Sequence, residues 1–192
     1  MQRLGVIGGT GLIDMTLGEQ LTAYGLTLDQ RDTVTVETPY GDVPLTCIEL
    51  SDGEHKKELI FLQRHHNNGE ASRPPHMIEH RANIRALQDA GCEAVMAVCS
   101  VGAIPEDFPP GKVALADQYI DFTGHASTFH DDAAVFTSVT DPFDSALNDA
   151  LEQVLRTSQG FNADERMRYT YWLAQGPHFE TKAEIDAIDR LG

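Results

Sequence analysis

The feature that most constrains this chain stands at its start. The apolar run Leu4-Gly5-Val6-Ile7 passes without a spacer into Gly8-Gly9-Thr10-Gly11. A short β-type run closed by a glycine-rich turn reads as the opening of an α/β unit, with small residues where the strand ends. Glycines there allow positive φ and let several backbone N–H groups turn toward one point, while Thr10 adds a hydroxyl donor. Such a loop can cradle phosphate or a similar anion. The same four residues also serve as a plain tight turn.

The rest of the chain alternates in the same way. Strands are expected at Leu4–Ile7, Thr33–Glu37, Val43–Leu50, Glu58–Gln63, Ala94–Cys99, Lys112–Asp117 and Tyr169–Ala174. A first helix falls within His76–Ala90, blocked from an earlier start by Pro74-Pro75 and ended at Gly91. A second runs from Asp144 to Thr157, with Leu147, Leu151, Val154 and Leu155 on one face and Gly160 soon after. A third opens on Thr181-Lys182-Ala183-Glu184, a capping box, and turns Ile185, Ile188 and Leu191 inward. The expected architecture over residues 1–192 is one α/β domain, a central mixed sheet covered by helices in three layers. An α/β unit ordinarily returns from a helix to another strand, so the expectation is either a naturally short protein or, as the favoured alternative, residues beyond Gly192 that complete its sheet and pocket.

Composition narrows the function classes. A net charge of −16, from 30 acidic against 14 basic residues, argues against nucleic acid or anionic membrane as partner, since both are bound through clustered Lys and Arg. Cys47, Cys92 and Cys99 form no C-x-x-C pair, which fits reduced thiols in a cytoplasmic protein. No signal peptide and no apolar run of bilayer-spanning length is evident.

Three further segments can carry chemistry. Phe61-Leu62-Gln63-Arg64-His65-His66 delivers Arg64 and His65 at the C-terminal end of a strand, where open α/β sheets bind ligands. A guanidinium fork there matches phosphate bidentately, or it pairs with one of the abundant carboxylates. Val98-Cys99-Ser100-Val101-Gly102 again runs a strand into a turn of small residues, a second anion-facing wall or a structural turn. In Gln175-Gly176-Pro177-His178-Phe179-Glu180-Thr181, Phe179 can stack on a planar base and Glu180 can accept from ring N–H groups. Equally, Phe179 can anchor a core and Glu180 can balance a helix N-terminus.

In their order along the chain these segments resemble the purine nucleoside phosphorylase and methylthioadenosine phosphorylase family. The resemblance rests on Ile7-Gly8-Gly9-Thr10-Gly11-Leu12, Arg64-His65, Pro74-Pro75-His76, Arg81-Ala82-Asn83-Ile84 and Ser100-Val101-Gly102. Asp117-Gln118-Tyr119-Ile120-Asp121-Phe122-Thr123 and Gly176-Pro177-His178-Phe179-Glu180-Thr181 complete it. It implies a homotrimeric pentosyltransferase of purine salvage. Such an enzyme splits a purine ribonucleoside, here a 5′-methylthio one, with inorganic phosphate as co-substrate and no other cofactor or metal.

By matching position, Thr10, Arg64, His65, Cys99 and Ser100 would hold phosphate. Val101, Gly102, Phe179 and Glu180 would face the nucleoside. Tyr119–Thr123 would support the site and subunit contacts, and Asn83 would fix its helix against the site. The acid that serves the leaving purine is expected beyond Gly192. Cys99 stands where the family often has Thr or Asn, His178 where it has Arg, and His66 where Gly is common. Glu180 leans toward a 6-oxopurine such as inosine or guanosine, and a catalytically inactive phosphorylase fold is a further alternative. A remote one is a zinc hydrolase, since His76-Met77-Ile78-Glu79-His80 fits H-x-x-E-H.

Overall fold

The parallel pairing of the first strand organises the N-terminal half. In the computed structural model, which describes residues 2–9, 12, 21–67, 72–125, 128–174 and 176–191, β1 (Arg3–Gly8) lies between β4 (Lys56–Gln63) and β5 (Ala94–Ala97). Gly8 pairs with Gln63 and Ile7 with Ala97, so all three strands end together. Two antiparallel strands extend the sheet beyond β4: β3 (Gly41–Ser51), then β2 (Thr27–Thr38), giving the order β2-β3-β4-β1-β5. The outermost, β2, is exposed along most of its length and carries Asp29, Arg31, Asp32 and Glu37, charges that discourage edge-to-edge association.

The side-chain alternation of β3 and β4 supplies both faces of this sheet. Val43, Leu45, Ile60 and Leu62 point to one side and pack with Ala82, Ala86 and Leu87 of α1 (His80–Asp89). Ile48 and Leu50 face the other side with Leu21, and Leu59 and Phe61 pack against them. The helix begins later than its sequence window because Pro75–Met77 forms a separate 3-10 turn. Its end follows the glycine signal. Gly91, at φ +73°, lets its own N–H reach Gln88 O and the Cys92 N–H reach Leu87 O, the paired bonds of a Schellman cap.

Within the span read as one domain, contacts gather into two compact units, Met1–Ser100 and Val101–Gly192. The second contains β6 (Leu115–Asp121) and β7 (Arg168–Leu173) in parallel, with α2 (Ser145–Gln159) and α3 (Lys182–Leu191). Asp144 caps α2 by accepting from Leu147 N at 2.7 Å, and Gly160 closes it at φ +69°. Asn148 ties α2 to β6 through Ala116 O at 3.1 Å. β6 starts three residues later than the sequence indicates. The ammonium of Lys112 is committed to Asp107 O, Arg166 O and the Tyr169 hydroxyl, which holds the preceding segment in a loop.

Two amphipathic expectations need correction. Val154 is 61% exposed although Leu147, Leu151 and Leu155 of the same helix are half-buried, because it lies at the margin of the apolar stripe. The capping box of α3 forms as expected, with Thr181 N donating to Glu184 Oε2 and Glu184 N to Thr181 Oγ1. Its apolar face is nevertheless not covered: Ile185 and Leu191 are exposed and Ile188 is half-buried.

Candidate active site

The common end of β1, β4 and β5 is where the N-terminal unit brings its chemistry together. Arg64 follows β4 directly, and its N–H extends the ladder to Gly8 O at 3.0 Å, while Val98 N donates to Ile7 O at 2.9 Å. The Arg64 and Val98 backbones are therefore each tied to the end of β1 before the Arg64 side chain does anything. The guanidinium, half-buried, crosses to the end of β5 and donates from Nη1 to Val98 O at 3.0 Å. Its Nε donates to His65 Nε2 at 3.2 Å. Among the described residues Nη2 has no acceptor and the group makes no ion pair. In a chain with 30 carboxylates, a half-buried guanidinium that pairs with none of the described ones keeps donors available to another anion.

His65 is oriented by the same bonds. Because Arg64 Nε can only donate, His65 Nε2 offers its lone pair, and Nδ1 carries the proton toward Arg73 O at 3.1 Å. Arg73 N in turn donates to His65 O at 2.8 Å. Next in sequence, His66 turns to α1 and its Nε2 lies 2.8 Å from Oδ1 of Asn83, a buried residue. Nδ2 of Asn83 reaches Arg64 O at 3.5 Å. A carbonyl can only accept, so this contact fixes the amide orientation and makes His66 Nε2 the donor. His66 Nδ1 is then a buried lone pair without a partner among the described residues, a situation that costs about 1–3 kcal/mol.

The glycine turn works by close approach rather than by left-handed backbone, which corrects the sequence reading at Gly8 and Gly9. Neither has a φ in the positive region. A Cβ on Gly9 would stand 3.1 Å from Arg64 Nη2, and one on Gly8 would stand 2.8 Å from both Phe61 Cε2 and Leu12 Cδ1. These positions lack side chains because the guanidinium and the Phe61 ring occupy the space.

The remaining expected residues are distributed as follows. Thr10, with Gly11, lies outside the described residues. Cys99 and Ser100 are exposed immediately beyond Val98 and end the N-terminal unit. Val101 and Gly102 are exposed at the start of the second unit. Phe179 is 94% exposed and anchors no core among the described residues, and Glu180 is half-buried. In the Tyr119–Thr123 stretch, Asp121 accepts from both the hydroxyl and the N–H of Thr123, and these bonds hold its carboxyl below the usual range. The H-x-x-E-H reading loses its geometry. His76 sits in the 3-10 turn and His80 begins α1, with Ile78 and Glu79 extended or irregular between them, so the two imidazoles are not one α-helical turn apart.

Sequence reasoning had no access to two contributors, the carbonyls of Val98 and Arg73, because backbone acceptors leave no mark in a sequence. The steric role of Gly9 was equally hidden. Its signal was the glycine itself, attributed to the wrong cause.

Comparison with known proteins places this geometry. The phosphorylase superfamily model matches residues 3–192. The chain is 36% identical over 186 residues to the S-methyl-5′-thioadenosine phosphorylase of Pyrococcus horikoshii, covering 96% of this chain and 65% of the relative. It is 32% identical over 201 residues to the 6-oxopurine nucleoside phosphorylase of Pyrococcus furiosus, covering all of this chain and 68% of that one. A methylthioadenosine phosphorylase from an antarctic soil metagenomic library superposes with a TM-score of 0.79 at 29% identity, over 99% of this chain and 62% of that structure. The chain thus spans just under two thirds of the length of the first of these relatives. With the ordered motifs, the mixed sheet and the open Arg64 at its strand ends, the match over residues 3–192 makes this chain a member of the phosphorylase superfamily.

Proposed function

We propose that this chain acts in phosphorolysis of a purine ribonucleoside, with a 5′-methylthio purine nucleoside as the preferred class. The products are the free purine and the (5-methylthio)ribose 1-phosphate. The observation that carries the reading is the half-buried Arg64 guanidinium, beside Gly9 at the ends of three parallel strands, with Nη2 uncommitted among the described residues. Kinship to methylthioadenosine, methylthioinosine and 6-oxopurine nucleoside phosphorylases supports the substrate class.

In this reaction the C1′–N9 bond breaks, with its electron pair leaving on the purine, as a phosphate oxygen bonds to C1′. The transition state is oxocarbenium-like at C1′, as in other glycosyl transfers. Phosphate beside that cation stabilises it and is also the nucleophile, so the protein's contribution is mainly placement and charge. Arg64 would bind two phosphate oxygens, and Thr10, His65, Cys99 and Ser100 are assigned to the same anion. Val101, Gly102, Phe179 and Glu180 are assigned to the nucleoside. The proton taken up by the departing purine is assigned to no residue of this chain. A homotrimeric, cytoplasmic enzyme without cofactor completes the proposal.

A second reading within the same reaction favours inosine or guanosine, because the Glu180 carboxylate suits the N1–H of a 6-oxopurine. The test is base release from methylthioadenosine, methylthioinosine, adenosine and inosine, with and without phosphate. Phosphate-dependent release, fastest with a methylthio substrate, supports the first reading, and preference for inosine supports the second. Release that ignores phosphate, or a protein that neither binds phosphate nor releases base, refutes both.

A further inference from the structure

The Arg64 carbonyl is held from α1 by Asn83, and the Asn83 amide is itself bonded to His66. Asn83 is the one buried polar residue among the described side chains of the core, at 5% exposure. It bonds two consecutive features of the loop after β4: Nδ2 to Arg64 O at 3.5 Å and Oδ1 to His66 Nε2 at 2.8 Å. The Arg64 carbonyl can only accept and so decides which way the amide faces, while the shorter bond from His66 Nε2 holds the amide there. On the other side, His66 Nδ1 is buried and without a partner among the described residues, so the hydrogen bond of this ring is the one from Nε2–H.

We propose that His66 is a positioning residue that works through Asn83 to set Arg64 for anion binding. The claim that the anion is phosphate rests on the function proposed above; the claim that His66 sets Arg64 does not. If Asn83 loses the His66 donor, its amide keeps only the long contact to Arg64 O and holds that carbonyl less firmly. The guanidinium keeps its charge and its bonds to Val98 O and His65 Nε2, but its direction between them is held less firmly.

The experiment compares wild type, His66→Ala and His66→Gln. Gln is the rescue because its terminal amide N–H can stand where Nε2–H stands. Two quantities are read: phosphate affinity by calorimetric titration, and the Arg64 Nε–H resonance with its hydrogen-exchange rate by NMR. The expected result for His66→Ala is phosphate binding weakened about 5- to 10-fold, in line with one lost hydrogen bond. Its Arg64 Nε–H should shift and exchange faster, and His66→Gln should stay within about twofold of wild type on both measures. Unchanged Arg64 Nε–H and unchanged affinity in His66→Ala would overturn the proposal. So would an equal loss in His66→Gln, which would mean that ring volume matters and the donor does not. If wild type binds no phosphate, the anion assignment fails, while the NMR reading still decides whether His66 sets Arg64.

Discussion

Replacing Gly9 by Ala separates the site from the fold more cleanly than most substitutions can. The new Cβ would lie 3.1 Å from Arg64 Nη2, 3.4 Å from Cζ and 3.5 Å from Nη1. Comfortable contact begins near 3.5 Å, so the guanidinium must retreat by roughly a few tenths of an ångström. That retreat stretches the bonds to Val98 O, at 3.0 Å, and His65 Nε2, already 3.2 Å. Losing one of them costs about 1 kcal/mol, or about fivefold in phosphate affinity. The backbone pays nothing, because Gly9 does not occupy the left-handed region. Gly-to-Ala at a compatible site even stabilises by about 0.4–1 kcal/mol through the unfolded chain. The expected outcome is therefore a melting temperature equal to or above wild type with phosphate binding weakened about fivefold, by calorimetry beside thermal melting. A Gly9→Ala protein that binds phosphate as wild type does, in an assay where Arg64→Ala weakens binding, would refute the packing argument.

The neighbouring Gly8→Ala should behave in the opposite way, since its Cβ would meet the Phe61 ring and Leu12 at 2.8 Å; thermal or urea melts should show destabilisation of about 1–3 kcal/mol. Leu62→Ala empties a fully buried position between β4 and α1 and should cost about 2–5 kcal/mol in a urea titration. Glu152 receives bonds from Arg168 and Arg156, which hold its carboxyl below the usual range. A depressed carboxylate contributes stability that is fully present above the ordinary glutamate pKa and is lost as pH falls through the lowered one. Glu152→Gln should therefore lower stability at neutral pH and flatten the acid limb of the stability profile, a difference that vanishes in strong acid.

The strand-and-glycine pattern made β1, β3 and β4 legible because each carries alternating or continuous apolar residues whose faces are both buried, as at Leu45 and Ile48. The helix ends were legible for a different reason. Asp144, Thr181, Gly91 and Gly160 act locally, through caps that need no tertiary partner. What the pattern could not reveal depended on distant partners. The full length of β2 is set by pairing with β3, not by its own polar sequence. The late start of β6 comes from Lys112 bonding to carbonyls, and the exposure of Ile185 and Leu191 from the absence of a covering element among the described residues.

The candidate site divides in the same manner. Arg64 and His65 were legible as chemistry at a strand end, and the structure brings them together with Gly9 and Val98. That Arg64 would lack a carboxylate partner among the described residues of so acidic a chain was not legible, because pairing is a property of space. The roles of Phe179 and Glu180 rest on motif position. The ring of Phe179, exposed among the described residues, is compatible with a ligand-facing role.

The account stands on Arg64 as an anion site, and a phosphate titration of wild type against Arg64→Ala tests it most directly. Chloride should be held constant so that only the oxyanion changes. Saturable phosphate binding in wild type that falls about 100-fold or more in the variant is expected, the loss of a charged, bidentate contact. Equal phosphate affinity in the two proteins would contradict the central claim and leave Arg64 a structural strut between β4 and β5.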